Sequence, residues 1–107
     1  MSEPRVTRND DEHRYELWVG DALAGFAQFR ELPHQVLFTH TEVDDAYAGQ
    51  GLGSVLVRAA VEDVVGRGKT IVPYCPFVAA YLRRHREHAD HVEWPDGDAA
   101  DPEILAP

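Results

Sequence analysis

The sequence predicts a single α+β domain in which a mixed β-sheet is flanked by about two helices. Runs of alternating apolar residues in the N-terminal half are typical of strands, and two later segments carry apolar residues at helical spacing. The strand runs come first, and a short β-run separates the two helical segments. A length of 107 residues suits one domain of this kind.

Three strands are expected before the first helix. Two β-rich runs, at 14–19 and 22–29, flank the turn signal Gly20-Asp21, and this arrangement predicts a hairpin. A third strand is expected at 35–43. The centre of that segment is nearly continuous in apolar residues, as in a strand that is covered on both faces.

Two helices and a short strand are expected in the second half. The first helix is predicted at 52–66, and Gly68 suits its C-terminal end. A short β-run at 69–74 follows. The second helix, at about 76–86, opens with a proline, which is well tolerated at the first helical position. Residues 91–94 are expected to form a last short strand.

The domain is expected at 13–95, between a flexible N-terminal arm at 1–12 and an acidic C-terminal tail at 96–107. The N-terminal segment is polar and has no signal-peptide core, and no apolar run approaches the roughly 20 residues that span a bilayer. Cys75 is the one cysteine, so no intrachain disulfide is expected. A cytoplasmic location without membrane attachment is the simplest prediction.

The formal net charge of -9 indicates which partners the protein favours. A nucleic-acid binder needs a basic surface to displace counterions, so no nucleic-acid partner is expected. The acidity mildly favours a cationic partner such as an amine. The alternative is that the negative charge only keeps the protein soluble. His85, His88 and His91 are spaced three apart, but nothing else in the sequence supports a metal site, and no metal is expected.

The most informative segment is the glycine-rich loop Gly49-Gln50-Gly51-Leu52-Gly53, which follows a strand ending at Val43 and opens a helix. Glycines allow the backbone to approach a phosphate closely, and the free amides and dipole of a helix start favour an anion. The segment lacks the lysine of a phosphate-binding Walker loop, and its third glycine comes one residue too early for a dinucleotide-binding fingerprint. A tight structural turn without a ligand remains the alternative.

These residues resemble motif A of the GNAT superfamily of N-acetyltransferases, whose signature is Gln/Arg-x-x-Gly-x-Gly/Ala. The match here is Ala48-Gly49-Gln50-Gly51-Leu52-Gly53. More narrowly, residues 40–88 resemble the very small YjdJ-type members, through His40-Thr41-Glu42-Val43, the glycine loop and Pro73-Tyr74-Cys75 before a helix. Ala48 departs from the usual Gln or Arg, and the lost side-chain donor implies weaker affinity for the cofactor.

The resemblance implies acetyl-CoA as the cofactor and a small-molecule or protein amine as the acceptor, in a monomer or homodimer. It implies that pantetheine lies along the third predicted strand like an added strand, and that backbone amides hold the pyrophosphate. The cofactor-binding residues implied in this way are Thr41, Val43, Gly49, Gln50, Gly51, Leu52, Gly53, Ser54 and Tyr81.

Three side chains are candidates for the chemistry of acetyl transfer, which must deprotonate the amine and protonate the leaving thiolate. Cys75 lies before a helix N-terminus and is either a nucleophile that accepts the acetyl group or a small residue that lines the groove. His40 is either a general base, for the amine or for Cys75, or a strand histidine satisfied by the backbone. Superfamily members often have a tyrosine at the position of Tyr81, so the resemblance implies a general acid beside the sulfur of CoA; the alternative is an aromatic residue packed on the sheet.

The sequence leaves three functions open. The first is an N-acetyltransferase that works by direct transfer or through Cys75. The second is a non-catalytic module that binds CoA or acyl-CoA. Ala48 favours it, and so does the third strand, where many GNAT enzymes carry a carboxylate base and this sequence has the apolar Val36, Leu37 and Phe38. The third is an interaction domain whose glycine loop is only structural.

Overall fold

The computed structural model describes residues 3–47 and 49–95 of the chain. Five strands form one sheet in the order β1-β2-β3-β4-β5; every neighbouring pair is antiparallel except β4 and β5, which are parallel. The strands are β1 Pro4–Asn9, β2 Arg14–Val19, β3 Ala22–Glu31, β4 Gln35–Val43 and β5 Thr70–Pro73. The helices are α1 Leu52–Gly66 and α2 Pro76–Arg84, with 3₁₀ turns at Asp45–Tyr47 and Arg86–His91. The mixed sheet with two main helices confirms the predicted α+β fold.

The expectation of a flexible arm at 1–12 is wrong for Pro4–Asn9, which forms β1 and pairs with β2 along its whole length. The segment looked like an arm because most of its side chains are polar. The ladder, however, needs only backbone hydrogen bonds, and Val6 supplies an apolar contact to the core. Residues 91–94 do not form a full strand, and only Val92 makes an isolated bridge to Ile71. The predicted tail at 96–107 lies outside the described residues.

The hydrophobic core lies between α1 and one face of the sheet. Leu17 and Phe38 from the sheet and Leu56, Val61 and Val64 from α1 are essentially inaccessible to solvent. Full burial of such a side chain contributes about 1.5–3 kcal/mol. Because side chains alternate along a strand, the residues next to these in the sequence face away from α1.

The sheet face turned away from α1 is polar and aromatic, and it is called the polar face below. It carries Arg14, Glu16, Phe26, His40 and Glu42. The Arg14 guanidinium lies 4.8 Å from the centre of the Phe26 ring and also hydrogen-bonds Glu16 at 2.8 Å. The polar face therefore carries paired charges on the side of the sheet opposite the hydrophobic core.

A polar network ties β1 and β2 to the C-terminal part of α1. The Tyr15 hydroxyl donates to the Asp63 carboxylate at 2.6 Å, Arg67 donates to the same carboxylate at 2.7 Å, and Arg8 donates to the Tyr15 oxygen at 2.9 Å. Although burial opposes the effect, the hydrogen bonds from Tyr15 and Arg67 hold the pKa of Asp63 below its usual value.

This network predicts a contribution to acid stability. A carboxylate whose pKa is lowered in the folded state stabilises the fold above its unfolded pKa, near 4, and loses that contribution as the pH falls through the lower folded value. We expect Asp63→Asn to lower the free energy of unfolding at pH 7 by about 0.5–1 kcal/mol, because the group is partly exposed. Urea denaturation at pH 7 and pH 3 measures this, with Glu62→Gln as the control. An equal loss for Asp63→Asn at both pH values would show that the charge is not the cause.

Candidate functional site

The parallel strands β4 and β5 separate about halfway along β4. They pair from Gln35 with Thr70 to Phe38 with Pro73, where β5 ends. The Cys75 amide still donates to the Phe38 carbonyl at 2.9 Å, and the chain then enters α2. The last five residues of β4, 39–43, have no partner in β5, so one backbone edge of this segment is unpaired within the described sheet. An unpaired edge is a template for an extended, amide-bearing ligand.

A β-bulge in β4 sets the direction of the side chains at this edge. Phe29 pairs with Phe38 and Gln28 pairs with His40, so Thr39 is the extra residue. Phe38 is fully buried in the core, whereas His40 lies on the polar face with its side chain about half exposed. The bulge thus turns a histidine outward at a position where strict alternation would have placed it towards the core.

The structure places the candidates Cys75 and His40 on opposite faces of β4. The Cys75 sulfur lies 3.3 Å from the Thr41 hydroxyl and is buried, with only 4% of the residue exposed. His40 Nε2 instead lies 3.2 Å from a carboxylate oxygen of Glu42, and its ring centre is 6.1 Å from that of Phe26. Because His40 and Thr41 are successive strand residues, the partner of Cys75 is Thr41 rather than His40.

The glycine loop begins α1 as the sequence predicts. Gly49 and Gly51 have φ angles of +80° and +73°, a backbone conformation that residues other than glycine rarely adopt. Gly51 is the N-cap residue, and among the described residues no side chain caps the helix. The first amides of α1 are therefore free for an anion, and the helix dipole favours one there. Ala48, the departure from the family signature, lies outside the described residues.

Phe77 holds the start of α2 against the start of α1, a contact that the sequence analysis missed. A methyl group built on Gly53 would overlap the end of the Phe77 ring, so a larger residue there would displace that ring. Phe77 itself is 41% exposed, and Tyr74 and Val55 are also exposed. No local pattern reveals the contact, because the two residues are 24 positions apart in the sequence.

Tyr81 and Ser54, both predicted cofactor-binding residues, line one pocket of about 270 Å³ beside the start of α1. The Tyr81 ring stacks on His85 with 4.2 Å between the ring centres. Burial, and to a lesser degree the carboxylate of Glu87, raises the pKa of Tyr81. The phenol is therefore neutral at physiological pH.

A second pocket, of about 180 Å³, lies at the end of β4, and the sequence analysis did not find it. It is called the β4-end pocket below. It is lined by Leu23, Ala24, Gly25, Phe26, Glu42, Val43 and Asp44. Gly25 lets β3 approach β4 here, since a methyl group on it would lie 2.5 Å from the Glu42 carbonyl oxygen.

The parted parallel strands and the uncapped glycine-rich helix start are features expected of a GNAT-type fold. A family model described as GCN5-related N-acetyltransferase matches residues 14–91, and the chain belongs to that family. A search of curated proteins gave no match.

A solved structure supports the fold. It is the NMR solution structure of a GCN5-like protein from Staphylococcus aureus, with 24% sequence identity and a TM-score of 0.65. The similarity covers 86% of this chain and 90% of that one. None of the helices in the described part of the chain has the length and apolar character needed to cross a bilayer.

Proposed function

We propose that the protein is an acetyl-CoA-dependent N-acetyltransferase that moves the acetyl group to an amine. The observation that carries the proposal is the unpaired edge of β4 at 39–43, which lies on the same chain segment that leads into the uncapped start of α1. Membership of the family supports acetyl transfer in general. The details below concern this chain's own residues.

The proposed cofactor contacts are made by backbone groups. Amides and carbonyls around Thr41 and Val43 would pair with the amide-bearing pantetheine arm, as in strand addition. The pyrophosphate would lie on the amides from Gln50 to Ser54, where left-handed glycines leave the approach open. Tyr81 lines the pocket next to Ser54 and would contact the cofactor from α2.

The proposed transfer step is direct. His40 takes the proton of the attacking amine, the amine nitrogen forms its bond to the acetyl carbon, and the carbon–sulfur bond breaks. The thiolate that leaves gains a proton, for which the neutral phenol of Tyr81 is the proposed donor. The thioester would lie along the unpaired backbone edge of β4, and the amine would approach it from the polar face, where His40 is half exposed.

We favour direct transfer of the acetyl group from CoA to the amine over a route through an acetylated Cys75. The sulfur is buried, and the side chain that it contacts is the Thr41 hydroxyl, which is not a base. A nucleophilic thiol needs a base or cation within reach to form its thiolate. Cys75 is therefore assigned to the wall of the groove.

The intact mass of the protein after incubation with acetyl-CoA tests this assignment. We expect no accumulated acetyl adduct on the wild type, and we expect Cys75→Ala to retain turnover within about tenfold of the wild type. Cys75→Ser is the matched control for size and for the contact with Thr41. An acetyl adduct that forms on the wild type but not on Cys75→Ala would overturn the assignment and establish a covalent route.

A CoA-binding module without catalysis is the second candidate, because His40 pairs with a carboxylate at the surface rather than with a buried activating partner. Titration with CoA combined with a turnover assay on a panel of amines separates the two functions. Binding without turnover on any amine would favour the module. Absence of CoA binding would contradict both functions.

A further inference from the structure

Tyr81 is a buried residue whose hydroxyl has no protein partner in the described part of the chain. Only 5% of the residue is exposed, and its ring belongs to the hydrophobic core. Within residues 3–47 and 49–95, no group hydrogen-bonds this hydroxyl, and no fully buried side-chain oxygen lacks a partner. The hydroxyl is therefore not sealed inside the core but reaches the pocket that Tyr81 and Ser54 line, where it is free to bond a ligand.

His85 covers the face of the Tyr81 ring that is turned away from the core. The side chain of His85 is exposed, and its ring stacks on the Tyr81 ring with 4.2 Å between the centres and 25° between the planes. Residues four apart lie on the same face of a helix, and the His85 amide donates to the Tyr81 carbonyl at 2.9 Å. Tyr81 is thus held between the core and the imidazole.

The contact that His85 makes with the phenol is one of packing. An imidazole forms hydrogen bonds at nitrogens in its ring plane, so a ring nearly parallel to the phenol contacts it with its face. The other residues that line the pocket are Ser54, Val55, Arg58 and Glu87, and none of these four hydrogen-bonds the hydroxyl. Among the residues that line the pocket, the stack is therefore the contact that fixes the direction of the hydroxyl.

The direction of the hydroxyl matters for the last step of the proposed transfer. A proton donor acts only within reach of the atom that it protonates, and a displacement of about 1 Å costs about 10²-fold in rate. We propose that His85 is a positioning residue whose ring holds the Tyr81 hydroxyl towards the sulfur of the bound cofactor. The O–H bond of Tyr81 then breaks, the departing thiolate gains the proton, and the phenolate regains a proton from water. This inference rests on the proposed function.

An experiment without turnover tests the positioning directly. Tyrosine is labelled with ¹³C at Cζ, the carbon that bears the hydroxyl, and the Tyr81 signal is the one that Tyr81→Phe lacks. We expect saturating CoA to shift this signal in the wild type and in His85→Phe, which keeps a flat ring for the stack. We expect His85→Ala to lose most of that shift, because the hydroxyl is no longer held. Equal shifts in all three proteins, or no shift in the wild type, would overturn the inference.

Kinetics separate packing by His85 from chemistry at its imidazole. We expect His85→Ala to lower kcat by about tenfold with KM for acetyl-CoA within about twofold of the wild type, and His85→Phe to restore kcat. If His85→Ala does not fold, His85→Leu takes its place, because it also lacks a flat ring. His91→Ala, at an exposed histidine of the adjacent 3₁₀ turn, is the control and is expected to keep the kcat of the wild type. A His85→Phe protein as slow as His85→Ala would overturn the inference, since the imidazole itself would then be needed.

A double-mutant cycle shows whether His85 acts through Tyr81. Tyr81→Phe removes the hydroxyl and keeps the ring, so in that background His85→Ala is expected to change kcat by less than about twofold. The same tenfold loss in both backgrounds, or a Tyr81→Phe protein with the kcat of the wild type, would overturn the inference and leave the transferase function standing. Absence of turnover on every amine would overturn the proposed function instead, and the CoA-dependent shifts at Cζ would then decide the positioning by themselves.

Discussion

Replacement of Gly51 by valine is expected to weaken the binding of CoA by about 30-fold or more. The φ angle of +73° at Gly51 strains any residue with a Cβ by about 1–2 kcal/mol, and a β-branched residue by more. About 2 kcal/mol corresponds to a factor of roughly 30 in affinity, because the loop must recover this conformation to present its amides. Isothermal titration with CoA measures the change.

The control for this prediction is Gly66→Val at the other end of α1. A methyl group built on Gly66 meets no atom within 4 Å, and its backbone is not left-handed. We expect its affinity for CoA to remain within about twofold of the wild type. Equal affinity in the Gly51→Val protein would mean that the glycine loop does not hold the cofactor.

Replacement of His40 by glutamine is expected to lower kcat for amine acetylation by about 10²–10⁴-fold, the usual contribution of a general base. CoA affinity should change by less than about twofold, because the proposed cofactor contacts of β4 are made by backbone groups and the His40 side chain lies on the polar face. Steady-state kinetics and titration with CoA measure the two effects.

His34→Gln is the matched control, since His34 lies exposed in the turn between β3 and β4. We expect it to keep the kcat of the wild type. A His40→Gln protein with an unchanged kcat would remove His40 from the chemistry and leave solvent as the proton acceptor.

The parts of the fold that the sequence predicted well are those with local signals. The hairpin followed from alternating residues around Gly20-Asp21, and α1 followed from helical periodicity after Gly51. The glycines at 49 and 51 have the positive φ angles that justify their presence. These features depend on neighbours in the sequence, so a single chain is enough to predict them.

The parts that the sequence did not predict depend on distant residues. β1 is stabilised by pairing with β2 and by Val6 on the core, which a largely polar segment does not reveal. The orientation of His40 follows from the bulge at Thr39, which is a mismatch between two strands rather than a property of one.

Two close contacts at glycines were also not predicted, because each involves a residue that is distant in the sequence. Gly53 lies against the Phe77 ring, and Gly25 is required by the close backbone of Glu42. The sequence marks both positions as glycine but gives no sign of the partner. The β4-end pocket lies beside the second contact, and its lining comes from separate strands, so a single sequence does not reveal it.

The most direct test of acetyl-CoA binding at the β4 edge and the start of α1 is an NMR titration of the ¹⁵N-labelled protein with acetyl-CoA. The account predicts saturable shifts at the amides of 41–43 and 49–54, with smaller changes at the distant β1–β2 turn. Absence of saturable shifts, or shifts confined to residues away from both segments, would contradict it.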